Sequence, residues 1–85
     1  MTPAERYSAM LGCFEQHGHP GPPRVLKTMR DEKLAAWSDE ATAIEKLFGI
    51  GAIESERALM IRQWISREQT VRSVNAQGIR GVTAS

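Results

Sequence analysis

One group of residues in this sequence has types and spacing that suit metal binding. Cys13, His17 and His19 form a C-x3-H-x-H pattern, in which the first two residues lie one helical turn apart. Structural zinc sites normally combine two pairs of ligands, and the sequence has no second pair. The alternative is a semi-buried cysteine close to a helix end, where histidines interact favourably with the negative pole of the helix dipole. We therefore expect no metal ion and no other cofactor.

Four acidic residues lie close together in the sequence and raise the question of acid–base catalysis: Asp31, Glu32, Asp39 and Glu40. Catalytic carboxylates need a cleft that shifts the pKa of one of them, and a domain of 85 residues has little room for such a cleft. The segment Gly49-Ile50-Gly51 lacks the strand and the downstream pattern of a nucleotide-binding loop. We expect neither an enzyme nor a protein that binds a small-molecule substrate.

Two tryptophans, Trp37 and Trp64, are candidates for binding a partner, because Trp is enriched at the energetic centres of protein interfaces. Both fall on apolar stripes of predicted helices. Packing in the core is therefore the alternative role for each of them.

The last quarter of the chain, residues 66–85, carries a pattern of small and β-branched residues. Val74 is followed after four residues by Gly78, then by Ile79, and then by Thr83-Ala84-Ser85. A glycine permits the positive φ of a tight turn, and the isoleucine after it fills the angle between two helices. This segment resembles the helix-turn-helix of bacterial and phage transcription regulators, including the promoter-reading module of sigma factors. An ordinary helical hairpin that closes a bundle is the alternative.

The resemblance implies a function in nucleic-acid binding. In such modules the second helix lies in the major groove and directs its first residues at the base edges. The residues that would contact nucleic acid are Arg72 on the supporting helix, and Arg80, Thr83 and Ser85. Residues 62–85 have a net charge of +3, whereas residues 1–61 have a net charge of −2, so the C-terminal part is the one suited to approach phosphates.

The elements that must position these residues are helices. Thr2 and Glu5 form a capping box around Pro3, which predicts a helix over residues 3–17. Apolar spacing predicts a second helix over residues 24–48, or two that abut closely, with a new start near Thr28 as the alternative. Glycines end this helix at Gly49–Gly51, and further helices are predicted over 54–65, 67–77 and 79–85. No segment alternates strictly between apolar and polar residues, so we expect no strands of consequence.

The two longest apolar stripes predict the core. We expect one buried face to contain aromatic and aliphatic residues from both of the first two predicted helices: Tyr7, Leu11, Phe14, Trp37, Ile44 and Phe48. The predicted fold is a single all-α domain over residues 1–85. It is a small bundle of four or five helices with a helix-turn-helix-like hairpin at its C-terminal end.

Size and charge limit the possible partners and compartment. A chain of 85 residues buries only about 60–65% of its unfolded surface, so we expect a homodimer or a protein partner. The single cysteine, the absence of an apolar run of membrane-spanning length and the absence of a leader sequence suggest a soluble cytoplasmic protein.

Two classes of function remain at this point. The first is a small transcription regulator that contacts duplex DNA or the transcription machinery, such as RNA polymerase, through its C-terminal hairpin. The second is a helical protein-interaction module, an inhibitor or adaptor that does not bind nucleic acid.

Overall fold

The computed structural model of the chain describes residues 1–14 and 21–84, with the side chains described as far as residue 76. Within these ranges the chain forms four helices and no strand: α1 (Pro3–Cys13), α2 (Val25–Thr28), α3 (Asp31–Phe48) and α4 (Ile53–Ala84). The predicted all-α bundle is confirmed. No helix in the described ranges is long and apolar enough to cross a membrane.

Helix α1 begins as the sequence predicts. The Thr2 hydroxyl accepts a hydrogen bond from the Glu5 amide at 3.2 Å, and the Glu5 carboxylate accepts one from the Thr2 amide at 3.4 Å. This reciprocal arrangement satisfies backbone donors that have no partner within the helix. The helix ends at Cys13, and residues 15–17 of the predicted helix lie outside the described residues.

The segment predicted as one helix over residues 24–48 is two helices, which is the alternative prediction with a new start near Thr28. Met29 and Arg30 have extended backbone, with ψ angles of 144° and 157°, and separate α2 from α3. Thr28 donates its hydroxyl proton to the Val25 carbonyl at 2.8 Å, which provides a local alternative to helical continuation. The extended turn also places Met29 in the core, where it is buried. Burial of this side chain accounts for the break between the two helices.

Helix α4 also differs from the prediction, because one helix replaces the three over 54–65, 67–77 and 79–85. Two side-chain interactions lie in the continuous helix just after the predicted break at Ser66. The Thr70 hydroxyl donates to the Ser66 carbonyl at 3.0 Å, and Arg72 forms an i, i+4 ion pair with Glu68. The helix then continues through Gly78, where glycine costs about 1 kcal/mol relative to alanine but does not forbid a helix.

The core lies where α1, α2, α3 and the first half of α4 meet. Its buried side chains are Met10, Phe14, Leu26, Met29, Leu34, Ala41, Ile44, Ala58, Ile61 and Ile65. The Tyr7 and Phe48 rings lie 5.8 Å apart, and Phe14 packs edge-on against Trp37 at 5.5 Å. Of the six residues predicted to share this face, Phe14 and Ile44 are buried, and the other four are partly buried against the core: Tyr7, Leu11, Trp37 and Phe48.

The turn between α3 and α4 depends on two glycines, as predicted. Gly49 and Gly51 have φ angles of 83° and 90°, which other residues rarely adopt. The turn makes α3 and α4 antiparallel neighbours, and this pair forms the main packing of the domain. Helix α4 is about 48 Å long at 1.5 Å per residue, close to the longest dimension of the molecule, 51 Å.

Candidate functional site

One side of α4 carries a row of apolar residues that the core does not cover. Ile53, Met60, Val71 and Val74 are exposed, and Trp64 is half-buried on the same side. Their spacing of 7, 4, 7 and 3 residues places them within about 80° of the helix circumference. We call these five residues the outer stripe. They lie about a third of a turn away from the face of α4 that enters the core.

Charged residues border the outer stripe. Glu56, Arg57 and Arg67 are exposed, and none of them forms an ion pair among the described residues. A row of apolar side chains with charges at its edges is the usual composition of a helix that packs against another helix. The exposed fraction is 65% at Ile53 and 57% at Val74, so packing within the chain leaves more than half of each residue's surface accessible to solvent.

The arginine predicted to support nucleic-acid binding has an internal role. Arg72 donates to Glu68 at 2.9 Å, to Asp31 at 2.7 Å and to the Leu26 carbonyl at 2.9 Å. Hydrogen bonds to Asp31 and then to Glu68 raise the pKa of Arg72 above its usual value. The guanidinium therefore ties α2 and the start of α3 to α4, and its donors already have partners in the free protein.

The other three residues predicted to contact nucleic acid cannot be placed as a site. Arg80 and Thr83 lie on the last part of α4, but their side chains are outside the described residues. Ser85 is outside them altogether. Since α4 runs without a turn to Ala84, its backbone has no second helix after Gly78.

Trp37, the second predicted partner-binding residue, lies in a shallow groove between α1 and α3. The groove has a volume of about 320 Å³ and is lined by Met1, Arg6, Ala9, Lys33, Ala36, Trp37 and Glu40. The indole packs against the Phe14 ring in a T-shaped arrangement, and the Trp37 side chain is half-buried. Trp37 and Trp64 are thus both packed against the core and both partly accessible.

An ion pair forms one wall of this groove. The Arg6 guanidinium donates to Glu40 at 2.9 Å and holds the pKa of that carboxyl below its usual value of 4.5. The two charges neutralise each other, and a carboxylate with a lowered pKa is a poor proton acceptor at neutral pH. The pair therefore joins α1 to α3 rather than providing acid–base chemistry.

The remaining candidate for chemistry is the cysteine of the C-x3-H-x-H pattern. Cys13 is half-buried, and desolvation raises the pKa of its thiol, which keeps the thiol protonated. His17 and His19 lie outside the described residues. Among the residues that the structure does describe, no three His, Cys, Asp or Glu side chains are grouped as metal ligands.

Of the outer stripe, the sequence predicts only Trp64 as a partner-binding residue. Val71 and Val74 are predicted on a separate short helix, and such a helix would not align them with Ile53 and Met60. The signal was present in the heptad-like spacing, which becomes evident once the segment is treated as one helix.

Comparison of the chain with models of known protein families, with curated protein sequences and with solved structures finds no significant match.

Proposed function

We propose that this protein is a helical protein-interaction module that binds a partner along the outer stripe of α4. The observation that carries the proposal is the row of exposed apolar side chains on one side of a helix about 48 Å long. Burial of a helix face in a groove or against another helix is a recurring mode of protein recognition, and it is governed by residues at this spacing.

The position of the stripe supports this function. Beyond Arg72, the side chains that the structure describes, those of residues 73–76, are all exposed, so this part of the helix is open to a partner. Trp64, in the middle of the stripe, provides the type of half-buried aromatic anchor that contributes strongly to binding free energy.

Site-specific photo-crosslinking tests the proposal directly. Val71 is replaced by benzoylphenylalanine in the protein expressed in cells, and Ser73 is replaced in a matched control, because Ser73 is also exposed but lies on another side of α4. We expect a discrete protein adduct from position 71 and little from position 73. Equal adducts from both positions, or none from position 71, would contradict the proposal.

The second candidate function is transcription regulation through nucleic-acid binding by residues 66–85. The observation that favours it is the net charge of +3 over residues 62–85, to which the exposed Arg67 contributes. Arg72 already has three acceptors in the free protein, so this function would depend on Arg67 and Arg80.

Titration of a random DNA duplex at low and physiological salt distinguishes the two functions. A nucleic-acid-binding protein would bind with an affinity that falls as salt rises, and Arg80→Ala would lower the salt slope by about one unit. A protein-interaction module would show no measurable binding at low salt.

A further inference from the structure

We infer that the partner covering the outer stripe is a second copy of this chain, with the two α4 helices packed antiparallel. This inference rests on the proposed function and names its partner. It follows from a symmetry in the positions of the exposed residues along α4, which brings apolar residues against apolar residues and opposite charges together.

Four of the five residues of the outer stripe lie at equal distances on either side of Arg62. Met60 and Trp64 are each two residues from it, and Ile53 and Val71 are each nine residues from it. A two-fold axis perpendicular to α4 at the height of Arg62 therefore places Met60 against Trp64 of the partner subunit. The same axis places Ile53 on Val71 of the partner subunit, so each pair occurs twice in the dimer.

The charges beside the stripe follow the same symmetry. Glu56 and Arg67 lie on the same flank of the stripe, six residues before and five residues after Arg62. A two-fold axis of this kind keeps each residue on its own flank, so Glu56 comes within about 2 Å in height of Arg67 of the partner subunit. Both side chains are exposed and without an ion-pair partner in the described part of the chain.

The charges on the opposite flank of the stripe are also complementary between the two copies. Arg57 lies there five residues before Arg62, and Glu68 lies there six residues after it. Arg57 therefore faces the partner's Glu68, a carboxylate that has accepted only one hydrogen bond from Arg72 within its own chain. Both flanks thus pair opposite charges in the antiparallel dimer. A parallel dimer would place Glu56 beside Arg57 of the partner subunit, so only the antiparallel orientation pairs Glu56 with Arg67, and the double charge reversal below tests this orientation.

The last residue of the stripe also lies near an apolar residue of the partner subunit in this arrangement. Val74 lies 12 residues after Arg62, and Ile50 lies 12 residues before it, in the turn that leads into α4. Ile50 is fully exposed in the free chain, which is unusual for an isoleucine in a tight turn. The antiparallel dimer places the partner's Val74 about 4.5 Å beyond the height of Ile53, on the side of the turn that contains Ile50.

Sedimentation equilibrium of charge-reversal variants tests this arrangement. We expect the wild-type chain to form a dimer, and Glu56→Arg or Arg67→Glu to raise the dimer dissociation constant about tenfold, because each substitution acts twice in the dimer. The double variant Glu56→Arg/Arg67→Glu should recover dimerisation to within about threefold of wild type. Glu32→Arg is the matched control, since it makes the same change in the first turn of α3 and should leave dimerisation unaltered.

Far-UV circular dichroism verifies that each variant is folded. Weak dimerisation of the double variant would overturn the proposed register. A wild-type chain that remains monomeric at high micromolar concentration would overturn the dimer itself. In that case an adduct with a different protein from benzoylphenylalanine at position 71 would still support the interaction module, so the two proposals fail separately.

Discussion

At the scale of single residues, a few polar side chains determine how the helices are connected. Ser55 is one of them: its hydroxyl lies 2.7 Å from the Gly49 carbonyl and 3.1 Å from the Glu45 carbonyl. Both carbonyls lie at the C-terminal end of α3, where the Glu45 carbonyl also accepts the Gly49 amide at 2.9 Å and the Gly49 carbonyl has no partner within the helix. One side chain at the start of α4 therefore completes the end of α3 and stabilises the antiparallel turn.

We expect Ser55→Ala to lower the free energy of unfolding by about 0.5–1.5 kcal/mol, because it leaves these half-buried carbonyls without their hydroxyl donor. Urea denaturation followed by circular dichroism measures this change. Ser73→Ala is the control, since Ser73 is exposed and its substitution should change stability by less than about 0.5 kcal/mol. An equal effect of the two substitutions would argue against the role of Ser55.

The ion pair between Arg6 and Glu40 makes the attachment of α1 to α3 depend on pH. Since the hydrogen bond from Arg6 lowers the pKa of Glu40 in the folded state, the pair stabilises the fold above the ordinary pKa of 4.5. This contribution is lost as the pH falls below 4.5 and through the lowered pKa, where the carboxylate becomes protonated in the folded state as well.

We therefore expect Glu40→Gln to destabilise the protein at neutral pH and to have a much smaller effect at a pH well below 4.5. Urea denaturation midpoints of wild type and variant in the two buffers measure this difference. Glu32→Gln is the control, because Glu32 is exposed and forms no ion pair among the described residues. A destabilisation by Glu40→Gln that is the same at both pH values would contradict this role of the ion pair.

At the scale of elements, the most important feature is that α4 is one continuous helix. The backbone remains helical through Gly78, whereas a helix-turn-helix needs a turn there, with a glycine at positive φ. The substitution Gly78→Ala should therefore have opposite effects on stability in these two conformations. The glycine is unfavourable in a helix, but it is the preferred residue in a left-handed turn.

We expect Gly78→Ala to increase helix content and to stabilise α4 by about 1 kcal/mol. Far-UV circular dichroism and a thermal melt measure both quantities. Lower helix content or a lower melting temperature in the variant would indicate a turn at Gly78 and would favour the helix-turn-helix.

The elements also show what could be predicted from the sequence and what could not. The cap of α1, the core face of α1 and α3, and the glycine turn follow from local patterns, because the residues that determine them lie within a few positions of each other. The sequence predicts the break at Met29 only as an alternative, a new start near Thr28, and the union of three predicted helices into α4 depends on contacts across the chain. Arg72, for example, bonds to Asp31 and to the Leu26 carbonyl, more than 40 residues away.

The candidate site was predictable only in part for the same reason. Trp64 was recognised from its type, but the outer stripe depends on the phase of one long helix. If the helix is predicted to break at Ser66, Met60 and Val71 belong to different helices, and the side that they share cannot be recognised. The internal use of Arg72 could not be predicted, because a salt bridge over 41 residues leaves no local pattern.

At the scale of the whole molecule, one long helix lies along a short bundle and remains uncovered on one side. A domain of 85 residues buries a limited fraction of its surface, and a second copy that covers the outer stripe adds apolar burial that the chain alone does not provide. The central claim of this account is that another protein surface, in the first instance a second copy, covers this side of α4.

Acrylamide quenching of Trp64 fluorescence tests this claim most directly. The variant Trp37→Phe leaves Trp64 as the single tryptophan on the outer stripe, and Trp64→Phe leaves Trp37 in the groove between α1 and α3 as the control. As the protein concentration rises from low to high micromolar, we expect the quenching constant of Trp64 to fall while that of Trp37 stays the same. A quenching constant of Trp64 that does not change with concentration, in a folded variant, would contradict the claim.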